Sequence, residues 1–167
     1  MKKAALLLLL CTLTLAAGAQ SRFGHLSYRQ ALQSMPAYAE AQADLDKLRD
    51  QYNAEMTRAE DEFNKKYEEF LEGQNDFAPS IRNKRQSELQ ELMQKNIAFK
   101  QEARRLLDKA EKEAIEPLRH SLDAAITSVA HGMGLAFVLN TDNNAVPYVD
   151  ETMGLNITEH VRQILSR

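Results

Sequence analysis

The chain has 167 residues, a formal net charge of −3 and a single cysteine. That balance argues against nucleic acid as the main partner, and one cysteine excludes a disulfide-stapled scaffold. The length suits one domain.

Met1-Lys2-Lys3 leads into an apolar run from Ala4 to Ala17. A membrane span needs about 20 apolar residues, so this run is too short. A charged start, a short apolar stretch and the small residues Ala17-Gly18-Ala19 predict a secretory signal peptide over residues 1–19. Cys11 lies inside the run behind leucines, where small residues would be needed for lipid modification. Cleavage after Ala19 removes Lys2 and Lys3 and leaves 148 residues, no cysteine and a charge of −5. The expected product is soluble in the periplasm.

The mature chain divides into three blocks. Residues 20–36 open it, with Phe23-Gly24-His25-Leu26 as a short strand. Residues 37–130 are helix-forming with one interruption. Pro36 suits a helix start. The apolar or small residues Ala41, Leu45, Leu48, Tyr52, Met56, Ala59, Phe63, Tyr67 and Phe70 then recur in steps of 4, 3, 4, 4, 3, 4, 4 and 3. They make one helical stripe with an 11-residue period, close to a straight helix. Gly73 ends the helix and residues 73–79 form the bend, with Asp76 and Ser80 both suited to cap the second helix. The returning stripe, Leu89, Leu92, Asn96, Phe99, Ala103, Leu106 and Ala110, has heptad spacing. So short a bend predicts an antiparallel hairpin arm, about 55 Å long at 1.5 Å per residue. Residues 40–72 carry 11 acidic and 5 basic side chains, and residues 80–119 carry 7 and 10, so the helices attract. Pro117 should kink the second helix near its base.

Residues 131–167 return to mixed structure. Leu135–Leu139 reads as a strand, Asn140–Asn144 as a turn, and Ala145–Val149 as an edge or bulged strand marked by Pro147. Asn156 with Glu159 resembles a capping box before a helix carrying Ile157, Val161, Ile164 and Leu165. The fold class is therefore α+β. A body of three short strands and one helix is too small to stand alone, so an oligomer that pools it is expected.

No catalytic, cofactor-binding or metal-binding constellation is present in the sequence. His25, His120, His131 and His160 are scattered and none has ligand spacing. Carboxylates such as Glu68 and Glu69 lie on an open helix, which offers neither the burial nor the close like-charge pairing that catalytic carboxylates need. Soft and aromatic side chains on the arm, Tyr52, Met56, Phe63, Tyr67, Phe70, Phe77 and Phe99, are candidates for weak apolar contact with a client, or for the hairpin seam. Lys65, Lys66, Arg82, Lys84 and Arg85 gather near the bend and are candidates for contact with lipid or lipopolysaccharide, diluted by Glu62, Glu68 and Glu69.

Phe23–Leu26, Met35-Pro36-Ala37-Tyr38, Leu89-Gln90-Glu91-Leu92, Glu116-Pro117-Leu118, Ala124-Ala125-Ile126 and Leu155-Asn156-Ile157-Thr158 with Val161 occur in the order found in a known family. The mature chain resembles the periplasmic chaperone Skp, or OmpH-like outer membrane protein, family. Asn156 stands where the family has aspartate; both residues cap helices. The resemblance implies a homotrimer in which a small β-barrel body is shared by three chains and three coiled-coil hairpins enclose a cavity. It implies an ATP-independent holdase that keeps unfolded outer-membrane β-barrel proteins from aggregating. The better-known members are basic, whereas this mature chain is acidic. The rival reading is an envelope scaffold or adaptor that binds one folded partner through its arms.

Overall fold

The computed structural model describes residues 22–166. The expected signal peptide, with Cys11, lies outside them. The element order is β1 (Phe23–Leu26), α1 (Tyr28–Gln33), α2 (Pro36–Gly73), α3 (Pro79–Gly132), β2 (Val138–Asn140), a 3-10 turn (Asp142–Asn144), β3 (Gly154–Asn156) and α4 (Thr158–Leu165). Two compact units result. One comprises residues 37–118, and the other the described residues before and after them.

In the first unit α2 begins on Pro36 and ends on Gly73, the residue types that favour helix starts and stops. The bend is closed by the Asp76 amide donating to the Gly73 carbonyl at 3.0 Å. It is also filled by Phe77, whose ring lies so close to Gly73 that a Cβ there would meet it at 2.4 Å. Neither Asp76 nor Ser80 opens α3. Its first residue is Pro79, and the Ala78 carbonyl accepts from the Arg82 amide at 3.0 Å. The helix continues through Pro117.

In the second unit β1 is the central strand, flanked in parallel by β2 and β3 in the order β2-β1-β3. Gly24 and Leu26 are buried and their neighbours half-buried, the period-two signature of a strand. α1 packs against α4. Leu32, Leu122, Ile157 and Val161 are among the core residues, and the last three are fully buried.

The body differs from the expected β-barrel. The described strands form an open three-stranded sheet whose outer strands are three residues long and never meet. A sheet of three strands with two unpaired edges encloses no interior. Two local devices remove strand that the pattern had offered. Residues 133–135 are spent ending α3: Gly134, at φ +64°, donates to the His131 carbonyl, and Leu135 donates back to Ala130. That is a Schellman cap, and it shortens the expected 135–139 strand to Val138–Asn140. Asn143 and Asn144 then take left-handed conformations, and Ala145–Val149, with Pro147 lacking an amide, stays outside the sheet. Gly154–Asn156 takes the third place instead, and helix α1 was not anticipated. The capping box is also replaced. Asn156 Oδ1 accepts from the Thr158 amide at 3.0 Å and its hydroxyl at 2.7 Å, while Glu159 pairs with Arg162 at 2.8 Å.

Ser27 caps α1 through the Gln30 amide, and its hydroxyl donates to Asp142 Oδ1 at 2.5 Å. Asp142 Oδ2 accepts from the Arg29 amide at 2.9 Å, and Asn140 Oδ1 from the Tyr28 amide at 3.2 Å. The opening helix is thus latched by side chains from the far end of the chain. The Ser27 hydroxyl, followed by the Arg29 amide, holds the Asp142 carboxyl below its ordinary value. A depressed pKa contributes stability above the unfolded value, about 3.9, that is lost as pH falls through the folded one. Asp142→Ala is expected to cost about 1 kcal/mol at pH 7, the size of a helix cap. The difference between variant and parent melting temperatures should shrink as pH falls from about 4 through the lowered folded value, and a difference that stays constant down to the acid limit would refute the latch.

Candidate functional site

The candidate surface is the hairpin of α2 and α3. Of the first stripe, Leu45 and Phe70 are buried, Tyr67 is exposed and the rest are half-buried. On α3, Ala103 is buried and Leu89, Leu92, Asn96, Phe99, Leu106 and Ala110 are half-buried. Both stripes face inward, as amphipathic helices require, but a two-helix arm covers them only in part.

The aromatic candidates divide by position. Tyr52 meets Phe99 across the hairpin, with ring centroids 6.2 Å apart. Phe70 meets Phe77 of the bend at 6.3 Å. Phe63 and Tyr67 stack along α2 at 6.0 Å, and Met56 is half-buried. Two recesses flank these contacts. A small one of about 70 Å³ at the bend is lined by Phe70, Phe77 and Leu89 and rimmed by Lys66, Glu69, Arg85 and Glu88. A larger open groove of about 350 Å³ is lined by Glu60, Phe63, Asn64, Met93, Asn96, Ile97 and Lys100.

Sequence reasoning missed Leu71, Ile81, Met93 and Ile97, large apolar residues that stay exposed on the arm. They lie off the stripes, so a periodicity search passes over them. Apolar residues out of phase on a charged helix were the available signal.

All five basic candidates are exposed. Three of them are paired with acids: Lys66 with Glu62 at 3.0 Å, and Lys84 and Arg85 with the one carboxylate of Glu88 at 3.8 and 3.5 Å. These pairs run along one helix rather than across the hairpin. Exposed pairs of this kind contribute about 0–1 kcal/mol each, so apolar burial dominates the pairing of the helices.

In the sheet unit a polar recess of about 450 Å³ is lined by His25, Ser27, Asp142, Asn143, Asn156 and Thr158, among others. Its carboxylate is engaged in the latch of α1, so it holds no poised acid–base pair. Among the described residues no group of three or more His, Cys, Asp or Glu is placed to hold a metal, and no helix is long and apolar enough to cross a membrane.

A charged helical hairpin with exposed apolar side chains and a small open sheet define the class of fold, mostly helical with two long helices. The family model described as outer membrane protein (OmpH-like) matches residues 22–165, and the chain belongs to that family. The resemblance drawn from the sequence is thereby borne out. A crystal structure from Caulobacter crescentus, of a protein described as an OmpH-like outer membrane chaperone, shares the fold. The TM-score is 0.72 at 19% identity, over 88% of this chain and 85% of that one. No curated protein matches the sequence.

Proposed function

We propose that the chain, freed of residues 1–19, is an ATP-independent periplasmic holdase for unfolded outer-membrane β-barrel proteins. In this reading residues 37–130 are the client-binding arm, and residues 20–36 with 131–167 form the body through which three copies associate. The observation that carries the reading is the set of exposed apolar residues on the arm: Tyr67, Leu71, Ile81, Met93 and Ile97. Isolated apolar residues on a charged surface make weak contacts, which suit a client of no fixed sequence. Met93 adapts its shape to varied partners. Many such contacts on linked arms add up to useful avidity. Tyr52, Met56, Phe63, Phe77 and Phe99 hold the hairpin and lend their outer edges to the client, while Phe70 is buried and holds the bend.

Support for association comes from the sheet unit, where Tyr148 is 78% exposed and Phe137 is 50% exposed. A second and third copy would cover these rings. Lys65, Lys66, Arg82, Lys84 and Arg85 make at most weak contacts with lipid or lipopolysaccharide phosphate, since neighbouring acids oppose them.

Native mass measurement tests the reading, first on the protein alone and then with a urea-unfolded β-barrel protein diluted into buffer. The expected result is a three-chain assembly that gains one soluble client. An assembly that leaves the client to aggregate, yet captures one folded envelope protein, would favour the scaffold. A monomer would sink the association.

A further inference from the structure

We draw no further inference here: the strongest candidate, the polar recess where β1, β2 and β3 end and α1 and α4 begin, carries nothing, because Asn140 and Asp142 already hold the start of α1, Asn156 holds that of α4, and among the described residues no buried polar side-chain atom is left without a partner to point to a ligand.

Discussion

Leu122→Ala should lower the unfolding free energy by about 3 kcal/mol, within the 2–5 kcal/mol range for such truncations in a packed core. Leu122 is 0% exposed, and Ile157 and Val161 of the same compact unit share that status. The unit has few other large apolar groups in reserve, and no disulfide is expected to limit its unfolded state. Loss of the isobutyl group therefore leaves a void that short strands and α4 cannot close. Chemical denaturation followed by circular dichroism measures the effect, at fixed protein concentration because association adds to apparent stability. A loss below about 1 kcal/mol would mean that the site collapses onto the gap or that stability resides in the arm.

The long helices were legible in the sequence because their information is local and repeated. Each turn of α2 restates the same stripe from Ala41 to Phe70, and Pro36 and Gly73 mark its ends chemically. The sheet offered no such redundancy. Leu135–Leu139 has the composition of a strand, but Gly134 and the free carbonyls at the end of α3 claim its first residues for a cap. Gly154-Leu155-Asn156 has little strand propensity and still pairs with β1. Gly154 lets Phe23 and Val149 approach so closely that a Cβ there would meet them at 2.8 and 2.4 Å. That need is tertiary and leaves no periodic trace. At the candidate site the sequence marked the seam aromatics, while the exposed Met93 and Ile97 fell out of phase with it. Nor does a sequence name tertiary partners such as the Ala59 carbonyl that accepts from Asn96.

Phe70→Ala is expected to open the bend end of the hairpin without unfolding the sheet unit. Phe70 is 8% exposed and packs on Phe77, which is itself wedged against Gly73. Removing the ring enlarges the recess beside Leu89 and leaves Phe77 without its aromatic partner. Phenylalanine truncations cost about 3–5 kcal/mol, and a site at a bend that water can enter should fall near the lower end. Proteins open in cooperative units of different stability, and amide hydrogen exchange resolves them one by one. A loss of about 3 kcal/mol corresponds to roughly a hundredfold faster exchange, so amides around residues 66–85 should accelerate by that factor. Amides around Leu122 and Val161 should hold their rates. Equal acceleration in both regions would show that the hairpin and the sheet unit unfold as one. Separate responses matter for the proposed function, because an arm that opens locally can adjust to clients of different bulk while the body keeps its fold.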